Sequence, residues 1–394
     1  MFAVLSAARK PFVKLFALMS LVWLAACEPV SLSGPASGGG NLKAGDAVKV
    51  ALLLPRGSAI QGDSLVSDSL ENAARLAVAD LQGVKIDLRV YATAGDAGRA
   101  QTAAKQAVAD GAQVIIGPLR AESANAAAVA VAPSGVNVLA FSNNTTIAGG
   151  NLFLLGSTFN NSADRLTAYA KRNGKDRILV VHDEEVGGQL GKAAITQSIA
   201  RTGATLAGTI GYERSQQGVT TAVQRIKAAA AAGNANAIFL TSTSDAALPF
   251  YAQMLPEVGI SNANTQFIGL SRWDIPAQTL QLPGLQGGWF SLPDPAKAGQ
   301  FSARYTGAYG SQPHPLAALA YDGIAAVGAL ASSGRRNALS ASSLTQGAGF
   351  QGANGIFRLR PDGTNERGLA IAQIQDRKVV IIDAAPSSFS GAGF

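Results

Sequence analysis

The sequence predicts an α/β protein made of two doubly wound parallel-sheet lobes joined by a multi-crossover hinge. Three observations carry this expectation. Short, almost wholly apolar runs alternate with segments of helical period from residue 48 to residue 291. The alternation starts afresh near residue 150, and a chain of 394 residues has room for two domains of about 100–200 residues each. Apolar residues make up 47% of the chain, ample for two cores.

Residues 48–54, Val-Lys-Val-Ala-Leu-Leu-Leu, form the first near-continuous apolar run, as expected of a parallel strand buried on both faces. Residues 63–81 follow with Leu65, Leu70, Ala73, Ala74, Ala77 and Leu81 at helical spacing. Strands at 85–91, 113–116 and 136–141 then alternate with helices at 98–109 and 122–132. Such an alternation builds a parallel sheet with right-handed crossovers. The second set places helices at 162–172, 187–202 and 219–232, and strands at 177–182, 206–212, 237–240, 266–269 and 288–291. The run Ala228 to Ala232 reads as helix from alanine's propensity, with Gly233 expected to end it in the left-handed conformation. Two consecutive helices, 296–309 and 316–333, precede short strands at 356–359, 369–374 and 378–382, the last two joined by a turn at Asp376-Arg377. These leftover elements imply that the chain crosses between the lobes more than once. The expected division is 46–155 for the first lobe with 292–335 returning to it, and 156–291 for the second with 336–385 returning to it.

The N-terminus predicts export. Arg9, Lys10 and Lys14 precede an apolar run, 15–24, of signal-peptide length and too short for a bilayer span, which needs about twenty residues. Leu24-Ala25-Ala26-Cys27 looks like a lipobox in which Cys27, the chain's only cysteine, receives the lipid. Residues 1–26 are then a lipoprotein signal peptide, and 27–45, rich in Gly, Ser and Pro, a flexible tether. Glu28 stands where an aspartate would resemble an inner-membrane retention signal, which favours the outer membrane. Residues 386–394 read as a loose tail. With the lipid on Cys27, no free thiol is left for catalysis, disulfides or thiolate metal sites. Of 32 basic residues three lie in the signal, so 29 face 25 acidic ones, a dispersed surplus of +4 that predicts no nucleic-acid partner.

Five short motifs then occur in an order that resembles type 1 periplasmic binding proteins. They are Ala51-Leu52-Leu53-Leu54-Pro55, Ile115-Ile116-Gly117-Pro118-Leu119, Val138-Leu139-Ala140-Phe141-Ser142, Ala320-Tyr321-Asp322-Gly323, and residues 352–363 from Gly352-Ala353-Asn354-Gly355 to Pro361-Asp362-Gly363. The resemblance spans about 48–383. That group includes leucine/isoleucine/valine receptors of ABC importers. It also includes penicillin-binding-protein activator lipoproteins, which stimulate a peptidoglycan synthase. The Ala-Leu-Leu-Leu-Pro opening and Glu366-Arg367-Gly368-Leu369-Ala370 after Pro361-Asp362-Gly363 are similar to the activator branch. The resemblance thus implies a non-enzymatic envelope lipoprotein regulating a synthase, with an amino-acid receptor handing its solute to an ABC permease as the alternative. The best-known activators carry a helical-repeat domain that has no counterpart here, and Arg56-Gly57 replaces the usual loop after Pro55.

In open α/β sheets ligands bind outside the carboxyl ends of the strands, so the strand-end loops of both lobes should line the site. The first lobe offers Ser58, Leu119, Ser123, and the run Ser142, Asn143, Asn144, Thr145 and Thr146. In the amino-acid receptors the equivalent loops hold the ligand's carboxylate, and Ser142, Thr145 and Thr146 look like the matching positions. The same residue types are also ideal for turns and caps. The second lobe offers Asp183, Ser242 and Asp245, with either carboxylate placed to pair with an ammonium group, while Glu184 and Glu185 suit the start of the next helix. Trp273, near Arg272 and Asp274, is either an apolar lid or core.

Enzyme signals fail for lack of parts, and no cofactor is expected. Gly347 to Gly352 matches a dinucleotide fingerprint as a string but precedes a strand rather than joining strand to helix. Gly187 to Ala193 lacks the spacing and final hydroxyl of a P-loop. The two histidines, His182 and His314, are far apart, and neither belongs to a metal spacing or a nucleophile elbow.

Overall fold

The structure is a computed structural model, and it describes residues 46–389. The signal peptide, Cys27 and nearly all of the tether lie outside the described residues.

The first lobe begins with β1 (Val48–Leu54), α1 (Asp63–Asp80), β2 (Ile86–Ala92), α2 (Ala97–Ala109), β3 (Val114–Ile116), α3 (Ala121–Val131), β4 (Asn137–Ala140) and β5 (Leu152–Leu154). Its five strands are parallel in the order β2-β1-β3-β4-β5. The two-residue period of a strand splits β1 between two cores. Val48, Val50, Leu52 and Leu54 pack on the α1 side, whereas Ala51 and Leu53 pack with Ala104 of α2 and Ala124 and Ala127 of α3. Local chemistry starts the helices. The Asp96 carboxylate accepts from the Arg99 amide at 2.8 Å to cap α2.

The second lobe runs α4 (Phe159–Arg172), β6 (Arg177–Asp183), α5 (Val186–Thr202), β7 (Thr205–Tyr212), α6 (Gln216–Ala232), β8 (Ala237–Leu240), α7 (Leu248–Glu257), β9 (Gln266–Gly269) and β10 (Trp289–Pro293). Thr158 and Asn161 form a reciprocal capping box at the head of α4. Here too a central strand divides between two cores, Leu179 and Val181 facing one and Ile178 and Val180 the other.

The chain then returns with α8 (Pro295–Tyr309), α9 (Ala317–Ala331), α10 (Ala341–Leu344) and a small antiparallel sheet of β11 (Phe350–Gly352), β12 (Gly355–Leu359) and β13 (Asn365–Arg367). Finally β14 (Leu369–Gln375) and β15 (Lys378–Asp383) add antiparallel strands to the second sheet, giving the order β15-β14-β10-β9-β8-β6-β7. Both turn residues between them, Asp376 and Arg377, have positive φ (49° and 63°), the backbone a tight two-residue hairpin demands. The lobes are therefore connected after β5, after β10 and between β13 and β14.

Five expectations are corrected. Residues 152–154 supply a fifth strand to the first sheet, and α7 fills a stretch left without an element. Leu339, Leu344, Phe350 and Phe357 belong to the first lobe's core, so 336–367 stays with that lobe and only β14 and β15 return to the second. Gly233 closes α6 at φ −86°, in no left-handed conformation, because Asn234 (φ 47°) takes that role. The described part of the tail is held at Phe389, whose ring lies 4.6 Å from the Arg358 guanidinium, and 390–394 lie outside the described residues.

Two of the sequence motifs meet at a crossover. Asp322 of α9 is fully buried and accepts from the Ala353 amide at 2.7 Å and from Arg367 Nη1 of β13 at 2.9 Å. Arg367 is itself buried, donates to the Leu155 carbonyl, and lies 5.2 Å over the Phe357 ring. Burial drives the Asp322 carboxyl above its ordinary pKa, and the Arg367 charge and the Ala353 amide oppose that.

Candidate functional site between the lobes

A cleft of about 740 Å³ opens between the two sheets, within the range of about 300–1,000 Å³ common for small-molecule sites. The end of β3 forms one wall. Gly117 has φ +87°, and a Cβ there would stand 2.3 Å from the Leu53 carbonyl oxygen, so glycine is obligatory where the loop turns toward the cleft. Leu119 and Arg120 then enter the lining. Arg120 binds both carboxylate oxygens of Asp63 at 2.7 and 2.6 Å, and its buried Nε has no protein partner.

The end of β4 contributes Phe141, Ser142, Asn143 and Asn144. Ser142 Oγ accepts from the Asn144 amide at 3.1 Å, and Asn144 Oδ1 accepts from the amide and the hydroxyl of Thr146 at 3.0 and 2.8 Å. Turn chemistry therefore shapes this loop and presents its remaining polar groups to the cleft. From the second lobe come Ser157 and Ser162, Arg272 and Ile275, and the end of β10 with Ser291, Leu292 and Pro293. Ser291 is buried with its hydroxyl unpartnered. Arg272 Nε donates to Asp274 at 2.9 Å, so its charge is matched locally. Pro315, Leu316 and Leu319 at the head of α9 extend the apolar wall.

Of the residues singled out from sequence, Leu119, Ser142, Asn143 and Asn144 line the cleft. Ser123 is not in the lining; it is buried, with an unpartnered hydroxyl. Ser58 is half-buried and accepts from the Ile60 amide at 3.1 Å. Thr145 faces a different pocket. Asp183 spends one carboxylate oxygen on the Glu185 amide at 3.1 Å, and Ser242 is buried beside the Tyr212 hydroxyl. Asp245 is exposed near Arg214 and Phe250, its pKa lowered chiefly by a hydrogen bond from Thr243. Neither acid lines the cleft. Among the described residues the one acid in the lining is Glu122, which is exposed.

Trp273 is core and not lid. It is fully buried, and Cβ atoms at Gly269 and Gly288 would stand 2.3 and 2.5 Å from its indole, so two glycines make its berth. The residue that does reach the cleft is Ile275, two positions on and 53% exposed. Sequence reading passed over Ile275, Ser291 and Leu316, which reach the cleft through tertiary folding and carry no periodic signal. His182 is buried with Nδ1 2.9 Å from the Asp183 carbonyl oxygen, a packed residue. Among the described residues no group of three His, Cys, Asp or Glu could hold a metal ion, and no helix is long and apolar enough to cross a membrane.

Two facing lobes, three crossovers and a cleft at the strand ends coincide with a family match covering residues 47–378. The chain belongs to the periplasmic binding protein family. Solved structures agree on the fold of this binding protein. One from Rhodospirillum rubrum, ascribed to a branched-chain amino acid ABC transporter, is 18% identical over 86% of this chain and 100% of its own, with a TM-score of 0.72. An ABC transporter substrate-binding protein from Desulfitobacterium hafniense, in complex with Leu, is 19% identical over 86% of this chain and 100% of its own, with a TM-score of 0.60. A solute-binding protein of an ABC transporter from Rhodopseudomonas palustris, in complex with 3,4-dihydroxy benzoic acid, is 18% identical over 86% of this chain and 98% of its own, at TM-score 0.57. A search of curated protein sequences gives no match.

Proposed function

We propose that this protein is the solute receptor of an ABC importer and that its cleft takes a small organic acid with a branched or aromatic hydrocarbon body. The carrying observation is the composition of the cleft. Leu119, Phe141, Ile275, Leu292, Leu316 and Leu319 offer an apolar wall, opposite the hydroxyls and amides of Ser142, Asn143 and Asn144. Arg120 is spent on Asp63 through its terminal nitrogen and keeps its Nε hydrogen unpartnered, a donor that suits an acceptor oxygen rather than a free charge. Leucine and 3,4-dihydroxybenzoate, held by the two structural neighbours, share this combination of apolar body and carboxylate. Among the described lining residues the second lobe offers no acid to take an ammonium group, which weights the reading toward the simple acids over the amino acids. The protein works without chemistry on its ligand, in the periplasm, tethered through a lipid on Cys27.

The charged residues of the C-terminal segment that resembles synthase activators, Glu366 and Arg367, are taken up by internal pairs. Glu366 accepts from Arg358 and Arg360, each at 2.8 Å, and Arg367 pairs with Asp322. They support packing and do not favour a peptidoglycan synthase over a permease as partner.

A melting screen tests the proposal with leucine, isoleucine, valine, benzoate and 3,4-dihydroxybenzoate. A ligand at a hundredfold excess over its dissociation constant adds about 2.7 kcal/mol to the stability of the folded state, a shift of several degrees. Benzoate or its hydroxylated form should shift the melting temperature more than leucine. A flat response to the whole panel, with stimulation of glycan polymerisation by a cognate synthase, would restore the activator reading.

A further inference from the structure

We propose that residues 384–389 form a C-terminal strap that ties the second lobe's edge strand to the small sheet of the first lobe and holds the cleft open. The strap starts in the second lobe. β15 ends at Asp383, the Ala384 carbonyl accepts from Arg165 Nη2 of α4 at 3.1 Å, and Ala385 packs against the second lobe's core. It finishes on the first. Gln351 Nε2 of β11 comes within 3.5 Å of the Ser387 carbonyl oxygen, and the Phe389 ring meets the Arg358 guanidinium of β12.

The seat is shaped to take it. Phe357 belongs to the first lobe's core, so its neighbour Arg358 lies on the opposite, outer face of the small sheet. Arg358 Nε donates to Glu366 at 2.8 Å, which fixes the guanidinium that the ring meets. A Cβ at Gly349 would stand 2.8 Å from the Phe389 ring. One at Gly368 would stand 3.1 Å from the Pro386 carbonyl oxygen and 3.2 Å from its ring. Gly368 joins β13 to β14, so the strap lies directly on the last crossover.

These contacts act as a brake on the hinge. Four residue steps separate Ala385 from Phe389, a reach of at most about 14 Å, and Pro386 fixes one φ among them. Closing the cleft turns β14 and β15 with the second lobe against the small sheet, whose Phe350 and Phe357 belong to the first lobe's core. So short a strap has little slack to absorb that turn, and Phe389 must leave Arg358 for the lobes to meet. The lobes stand apart in this structure. Among the described residues no hydrogen bond joins 119–146 to 271–293 across the cleft, and Ile275 in the lining is exposed. The strap's contacts therefore belong to the open form. An arginine against an aromatic ring at a partly exposed position biases such an equilibrium about two- to thirtyfold.

The test measures the gap between the lobes by dipolar spectroscopy on spin labels at Leu65→Cys and Val186→Cys, in the full chain carrying Cys27→Ser. Both positions are exposed, and they follow strand ends of opposite lobes. Phe389→Ala, and separately a chain ending at Ala385, should add a population at shorter distances. Phe389→Tyr, which keeps the ring, should match the parent. Phe389 is half-buried and outside both lobe cores, so its replacement spares the fold. The proposal is overturned if either shortened variant keeps the parent's distance or moves outward. No solute enters the measurement, so its outcome is independent of what the cleft binds.

Discussion

The buried Asp322–Arg367 pair permits a sharp test of how the last crossover is held. Replacing Arg367 by methionine keeps most of the side chain's bulk over Phe357 but removes the donors to Asp322 and to the Leu155 carbonyl. Asp322, with no exposed surface, then keeps only the Ala353 amide as a partner at 2.7 Å. Breaking a buried pair from one side leaves an uncompensated charge and typically costs about 3–5 kcal/mol. Asp322→Leu strands the guanidinium instead and frees the Ala353 amide, an orphan worth about 1–3 kcal/mol by itself. The double variant has no stranded charge. It should therefore be more stable than the sum of the single losses predicts, and the difference measures the coupling. Urea unfolding of the four proteins, with the slope held in common, gives the cycle. Single losses below about 1 kcal/mol, or strict additivity, would show that water reaches the pair and that the crossover is held by apolar packing alone.

Two further outcomes follow from the second lobe and from α9. Trp273→Ala should cost about 3–5 kcal/mol of unfolding free energy, because the indole lies between glycines that cannot fill the space it leaves; a loss below about 1 kcal/mol would revive the lid. His314 is held below the ordinary imidazole pKa of 6.5 by burial, and its Nδ1 accepts from the Leu316 amide at 3.2 Å. The unfolded chain thus takes the proton first as pH falls through 6.5, and stability drops with it. His314→Gln should flatten the melting temperature's dependence on pH below that point, and an unaltered slope would assign the effect elsewhere.

Most of the fold is legible in the sequence because each central strand is buried on both faces, and such strands must be apolar nearly throughout. β1, β3, β6 and β8 declare themselves for that reason. β5 did not, since Leu152-Phe153-Leu154 is only three residues and follows Gly149-Gly150, which reads as loop. α7 is hidden by Pro249 and Pro256: the first falls in the first turn, where no amide donor is needed, and the second, one residue from the end, costs the helix a single hydrogen bond. The small sheet was assigned to the wrong lobe because Phe350 and Phe357 show that they seek a core without showing which.

The site was legible only where the strand-end rule applies. Leu119, Ser142 and Asn143 sit at the ends of β3 and β4 and face the cleft as that rule requires. Asp183 and Asp245 obey the same rule, yet their oxygens serve the Glu185 amide and the neighbouring Thr243. A carboxylate that shapes its own turn cannot be told from one aimed at a ligand by residue type. Trp273 between Arg272 and Asp274 reads equally as apolar lid or core, and only the structure shows that the two charges neutralise each other and the ring is buried in the core.

The berth of Trp273 also decides what light can report about this molecule. Among the described residues the indoles are Trp273 and Trp289, the latter edge-on to Tyr169 at 4.9 Å, and both belong to the same half of the molecule. Indole emission is therefore blind to the other half, and any change on adding a solute arises beside Ile275 or along β10. Placing an indole at Leu319 on the opposite wall would give the silent side its own voice and let the approach of one jaw to the other be followed as energy transfer.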